Sequence, residues 1–322
     1  MHNQLQNQIV SEDKVVSEPP RSFIGANTKK VTLEHLKRDC IIPVFSKDNE
    51  STISHYQFIQ KTRDVIQDLF PKLDVAEPEV RVSHIVKGRV PAAIGKPAKE
   101  LLESEKTLYY ERCAFIMELP QIRENINGNN LALTVGGVRA YNQENLYSRK
   151  SPEKFKIFIG FKNIVCTNLC ISTDGLADQV RVNGLNQLSD EVENLLNGYD
   201  RDKHLGMMER MGKYKLTEEQ FAHFIGKLRM YQHLEKADQK YFPVALNDSQ
   251  VNTVVKNYYS DPHFKRSEDG SIDFWRLYNL FTEANKSSYI DNNFERNAHA
   301  YALTNNLVNS YQNQSCNWFL HN

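Results

Sequence analysis

Cysteine is scarce in this 322-residue chain: Cys40, Cys113, Cys166, Cys170 and Cys316 are five in number, set mostly among apolar residues. An odd handful of this kind excludes the disulfide framework that staples small secreted domains, and reduced, packed thiols are expected. Charge of one sign is lacking too. Lys and Arg number 40, Asp and Glu also 40, so no global field draws the chain toward a polyanion. No apolar run approaches the ~18 residues of a membrane span. Met1 opens a polar, Gln/Asn-rich stretch without an apolar signal core. The expectation is a soluble, cytoplasmic protein with no membrane partner.

Signatures of catalysis are missing as well. The sequence contains no G-x-x-x-x-G-K-[ST], no G-x-G-x-x-G behind a strand, no G-x-S-x-G elbow and no H-E-x-x-H pair. Cys166 and Cys170 fall four apart on an expected strand, ~13 Å along it, too far to chelate one metal. Asp174-Gly175 could form half of an acidic site, but after a strand it reads first as a plain turn. No metal, cofactor or catalytic residue is expected. An enzyme is the less favoured class.

What is present is a long β-like run, Phe155 to Ser172. Phe155, Ile157 and Ile159 alternate with Lys156 and Phe158, the period of a strand with one buried face. Beyond Gly160 the alternation blurs, as in a strand covered on both sides. Asn163 and Asn168 lie inside this run and need hydrogen-bond partners if buried. Further strands are expected at Cys40–Phe45, Val80–Val90, Leu108–Met117 (stopped by Leu119-Pro120) and Leu131–Tyr141, where Gly136-Gly137 suggests a bulge or a close backbone approach.

Helices have clear local signals. Ser54 caps a stripe of Phe58, Ile59, Thr62, Ile66 and Leu69. Thr217-Glu-Glu-Gln220 is a capping box, and Asp273 precedes Phe274–Phe281. The fold class expected is α+β: an antiparallel β-meander over about 78–175, followed by a C-terminal helical region packed on one face of it. Residues 1–30 read as a mobile N-terminal arm, 31–175 as an α+β domain with the sheet, and 176–322 as helices joined to it in one globular unit.

Charge is uneven along the chain. Arg81 to Cys170 holds 14 Lys/Arg against 8 Asp/Glu, an excess of +6. Within it, Arg139, Arg149, Lys150, Lys154, Lys156 and Lys162 interleave with Tyr141, Tyr147, Phe158 and Phe161. Cations that follow a phosphate backbone, with aromatic faces for bases to stack on, are how single-stranded nucleic acid is held without sequence reading. The competing account places the aromatics in the core and the lysines on the wet face of a sheet.

Ile53-Ser-His-Tyr-Gln-Phe58, Gly137-Val-Arg-Ala-Tyr141 and Phe161-Lys-Asn-Ile-Val-Cys-Thr-Asn-Leu169 together carry a resemblance. The chain resembles an uncharacterised family encoded on conjugative and prophage elements of Bacteroides-type bacteria. It is also similar to the wider phage/plasmid-like family of unknown function. The hallmark there is a strand ending in Arg or Lys, one residue, then Val-Cys-x-Asn and an apolar residue, matched here by Lys162-Asn-Ile-Val-Cys-Thr-Asn-Leu169. The resemblance implies a mobile-element setting, often near replication or recombination genes, and no catalytic residues. Two functions follow as expectations. One is a DNA-metabolism accessory protein that binds single strands through Arg139, Arg149, Lys150, Lys154, Lys156, Lys162, Tyr141 and Tyr147. The other is a protein-interaction module, anti-defence or regulatory, whose partner is another protein or a second copy of the chain.

Overall fold

The computed structural model describes residues 22–40, 52–143, 152–235, 237, 239 and 245–320. The strand expected at Cys40–Phe45 lies, apart from Cys40, outside the described residues, as do Tyr147, Arg149, Lys150 and the first 21 residues of the expected arm.

Among the described residues seven strands make one antiparallel sheet: β1 (Lys29–Val31), β2 (Glu79–Arg89), β3 (Lys106–Ile126), β4 (Asn129–Ala140), β5 (Glu153–Asn163), β6 (Leu169–Cys170) and β7 (Leu176–Val182). They run in spatial order β1-β2-β3-β4-β5, and β6 and β7 share the far edge of β5. The α-helices among the described residues are α1 (Leu33–Arg38), α2 (His55–Leu69), α3 (Leu185–Gly198), α4 (Arg201–Met211), α5 (Glu218–Tyr231), α6 (Asp248–Ser260), α7 (Phe274–Asn285) and α8 (Ile290–Asn313). A two-residue bridge joins β8 (Lys215–Leu216) to β9 (Ile272–Asp273). The fold is α+β, a sheet followed by helices.

Local chemistry sets the helix starts. The Ser54 side chain accepts from the amide of Gln57, while Gln57 accepts from the amide of Ser54. Thr217 and Gln220 do the same at α5, Asn247 and Gln250 at α6, and Asp273 caps α7. Each such cap satisfies amides that the first turn leaves unpaired, worth about 1 kcal/mol.

Both faces of the sheet are buried. Phe115, Met117, Val135, Ile157 and Ile159 enter a core shared with Phe58 and Ile66 of α2, Leu188 of α3, Met208 of α4 and Leu280 of α7. Ala114, Ile116, Val138 and Phe158 point the other way, against Phe23, Ile24 and Ile290, Phe294 and Ala298 of α8. This corrects two expectations. The helical region covers more than one face, because α8 carries a second apolar stripe. Residues 22–30 are also no free arm. Phe23 and Ile24 are buried, and the amides of Gly25 and Ala26 donate to the Lys286 carbonyl at 2.8 and 3.1 Å.

Two strand boundaries also differ. β3 runs through Pro120, because the pairing with β4 slips between Leu119 and Arg123 and the missing amide falls inside the irregularity. The run from Phe155 breaks at Asn163, where Ile164–Thr167 turn the chain and Thr167 adopts φ 61°. Asn163 supports that turn by accepting from the Val165 amide at 3.1 Å. Asn168 donates to the Asn279 carbonyl of α7 at 3.0 Å. Gly136-Gly137 forms no bulge, since β3 and β4 stay in register there. The glycines admit a close approach instead. The Phe158 ring lies where a Cβ on Gly136 would project, and the Phe58 ring does so at Gly137.

Cys166, in the turn, is 2% exposed, and burial pushes its thiol up to about 12. A thiol this far from its thiolate is a poor nucleophile. In the native protein Cys166 should resist a thiol reagent while exposed Cys316 reacts at once, and it should label fast after unfolding. Rapid native labelling of Cys166, read by peptide mass mapping, would contradict its placement.

Candidate functional site

β5 is the strand on which most of the expected site residues fall, and the structure divides them by face. Lys154, Lys156 and Lys162 project to the α8 side. Arg139 of β4 projects to the other side and is 0% exposed. Its guanidinium donates to the Ile53 carbonyl and pairs with Glu153. The rings of Tyr141 and Phe155 flank it, with centroids 4.5 and 4.6 Å away. Tyr141 is 1% exposed and packs on His55. Neither residue reaches a surface ligand, which corrects their expected role. A buried arginine is retained only when paired and fully hydrogen-bonded. Here it ties the start of α2 to the sheet, because both oxygens of Glu153 accept from the Ile53 amide, at 3.3 and 3.1 Å.

Lys162 is spent on an ion pair with Glu118 across the sheet. Lys156 donates to the Asp291 carbonyl at 2.7 Å and pairs with Glu295 at 2.9 Å, so it fastens α8. Its neighbourhood is nevertheless open. Between β5 and β7 the register slips around Lys156: Phe155 faces Val180, while Ile157 faces Ala177. Asp178 and Gln179 thus oppose a single residue, a bulge that splays the edge. The concavity left there measures about 370 Å³ and brings together Lys154, Lys156, Arg181, Asp178, Gln179 and Gln143 over an apolar floor of Val138 and Ala140. Gln143 donates to Asp291 at 3.0 Å, which fixes the rim.

Of the eight expected contacts, Lys154 and Lys156 line this pocket. Arg181 and Gln143 were missed. Arg181 is exposed, on a strand whose alternation, Gln179-Val-Arg-Val182, was present in the sequence but fell beyond the assumed end of the sheet. Lys156 is held by Glu295, so Lys154 and Arg181 face Asp178 across the opening, at a volume near the lower bound for small-molecule sites that suits an anion the size of a phosphate group with its substituent.

A larger hollow, about 640 Å³, lies between α1 and the β2–β3 hairpin and includes Asp39, Lys87, Arg89, Glu103 and Lys106. Its cations are partly engaged, Lys106 by Glu103 at 2.5 Å and Arg89 by the Lys96 carbonyl. At its margin Cys40 Sγ lies 3.9 Å from His35 Nε2, and His35 Nδ1 lies 2.8 Å from Asp39. That order imitates a nucleophile, base and acid. However, burial and Asp39 push the Cys40 thiol up to about 11, and the Tyr110 hydroxyl holds the same Nε2 at 3.0 Å. The nucleophile is not activated.

Among the described residues no three His, Cys, Asp or Glu are placed to hold a metal ion, and no helix is long and apolar enough to cross a membrane. A two-faced antiparallel sheet with a concavity at its bulged edge defines an α+β domain. The chain belongs to the family described as a domain of unknown function, B. Theta Gene description (DUF3871), whose pattern matches residues 4–320. No curated protein and no solved structure matches it.

Proposed function

We propose that this protein binds a phosphate-bearing polymer, single-stranded nucleic acid, at the bulged edge of its sheet. The convergence of Lys154 and Arg181 on one concavity beside Gln143 and the Glu295-paired Lys156 carries the reading. Arg139 and Tyr141 no longer take part, and Lys162 is committed to Glu118. Tyr147, Arg149 and Lys150 stay candidates on sequence grounds alone. The likeness of Lys162–Leu169 to mobile-element proteins supports a place in DNA metabolism on such an element, inside the cell.

A second reading, docking of another protein, is favoured by Ile94 and Leu102. They are 75% and 62% exposed on the connection between β2 and β3, away from the pocket. The two readings separate in fluorescence anisotropy of a labelled oligonucleotide across a salt series. If Lys154 and Arg181 each neutralise a phosphate, Lys154→Gln/Arg181→Gln should reduce the slope of log affinity against log salt by ~1.4, at ~0.7 per contact. No binding at low salt removes the nucleic-acid reading. Binding with an unchanged slope moves the site elsewhere.

A further inference from the structure

The helices after the sheet contain a pattern that the pocket does not use. α4, β8 and α5 form one helix–loop–helix, α6, β9 and α7 a second, and β8 pairs with β9 antiparallel, Leu216 opposite Ile272. Two helix–loop–helix units joined back to back through their loops are the arrangement of paired calcium-binding hands. In such a loop the ligands come from positions 1, 3, 5, 7, 9 and 12, and glycine at 6 makes the sharp turn. Gly270, with φ +81°, makes that turn here. Counting from it, Lys265 falls at position 1, Ser267 at 3, Asp269 at 5, Ser271 at 7, Asp273 at 9 and Arg276 at 12.

Positions 3, 5, 7 and 9 keep oxygen-bearing side chains. Positions 1 and 12, which carry carboxylates in a calcium loop, are both cations. The Arg276 side chain turns back into the loop. Its Nη1 donates to the Lys265 carbonyl at 3.2 Å and to Ser267 Oγ at 3.1 Å, and its Nε lies 3.3 Å from Asp273 Oδ2. The guanidinium thereby touches oxygens from positions 1, 3 and 9. Asp269 accepts from the amide and hydroxyl of Ser271 at 2.9 and 2.6 Å and faces Lys215 of the neighbouring loop at 3.3 Å.

We infer that residues 201–231 and 248–285 are a calcium-type hand pair in which the Arg276 guanidinium stands in the metal's place. The loop is a cation site whose cation is covalently part of the chain. An arginine never dissociates and is always charged, so the loop stays closed at any calcium concentration. The apolar surface that such a pair offers to a partner helix is covered from within. Tyr301 of α8 packs on His204 and Tyr278, Tyr311 on Phe274, and Phe319 on Phe224 and Tyr231. The helical half is therefore a calcium-blind clamp on the chain's own last helix.

The test converts the site in the full chain. Lys265→Asp/Arg276→Glu restores carboxylates at both ends of the loop. The variant should bind calcium in calorimetry with Kd on the order of 10⁻⁵–10⁻³ M and gain a calcium-dependent thermal midpoint. The unchanged chain should show neither. Calcium-dependent refolding of a variant that is unfolded in chelator supports the proposal equally. A folded variant blind to millimolar calcium overturns it, as does micromolar calcium binding by the unchanged chain. Should the double variant not fold at all, the single change Lys265→Asp decides, because Lys265 is exposed. It should raise the thermal midpoint by setting a carboxylate beside the guanidinium, and the gain should vanish in an Arg276→Gln background. Equal effects in the two backgrounds overturn the proposal.

Discussion

Glu153→Leu is expected to destabilise the protein by about 3–5 kcal/mol, because it leaves the Arg139 guanidinium buried without its counter-charge. Arg139→Met should cost a similar amount by stranding the carboxylate between the Ile53 amide and the core. Together, Arg139→Met/Glu153→Leu should recover most of the loss. The site is apolar on its flanks, with Tyr141 and Phe155 against the guanidinium, so two apolar side chains can fill it. Replacing a whole buried pair is often close to neutral, whereas breaking one is not. Urea unfolding of the four proteins gives the coupling, expected above ~2 kcal/mol for groups in direct contact. Additive single losses, or an Arg139→Met cost below ~1 kcal/mol, would mean a solvated arginine. The residue would then return to the list of surface contacts from which its burial removes it.

That arginine marks the limit of what sequence pattern supplies. Period-two alternation placed β2, β4 and β5, and caps placed α2, α5 and α7, because each signal is confined to a few neighbouring residues. The fate of a charge is not local. Arg139 lies between Val138 and Ala140 in a run buried on both faces, and its partners Glu153 and Ile53 are 14 and 86 positions away. Lys156 and Lys162 were read as free cations for the same reason, although Glu295 and Glu118 claim them across the fold. The break after Asn163 left little trace, since the positive φ falls on Thr167 rather than on glycine or asparagine. Of the site, the sequence supplied the two lysines on β5. It could not supply the bulge that opens the pocket, because β7 lies beyond residue 175, where the pattern of strands ends.

Acid should unfold this protein well before its carboxylates are spent, because two histidines are buried in their neutral form. His55 is held down to about 3 by burial, aided by the nearby Arg139 charge and opposed by its hydrogen bond to the Tyr110 carbonyl. His204 is held down to about 3 by burial, against a weaker upward pull from Asp174. Each offers one ring nitrogen to a partner, His55 Nε2 to Tyr110 and His204 Nδ1 to the Tyr199 hydroxyl at 2.7 Å. The other nitrogens, His55 Nδ1 and His204 Nε2, face no hydrogen-bond partner, so a second proton has nothing to bond. Unfolded histidine titrates near 6.5, so between about 6.5 and 3 the unfolded chain binds the extra protons. Stability from these groups is therefore complete above pH ~6.5 and is lost as the pH falls toward 3. At pH 5, ~1.5 units below the unfolded value, each costs about 2 kcal/mol, roughly 4 for the pair. That is a large share of the ~5–15 kcal/mol of a typical domain. Asp174, held below the usual carboxylate range mainly by its hydrogen bonds to Ser172 and the Asp200 amide despite burial, adds loss in the same direction at lower pH. Asp273, raised by burial, works the other way. Urea midpoints from pH 8 to 4.5 should fall steeply below 6.5, and His204→Phe, which keeps a ring beside Phe161 and Tyr301, should remove about half of the slope. A flat profile down to pH 5 would show that both imidazoles reach water.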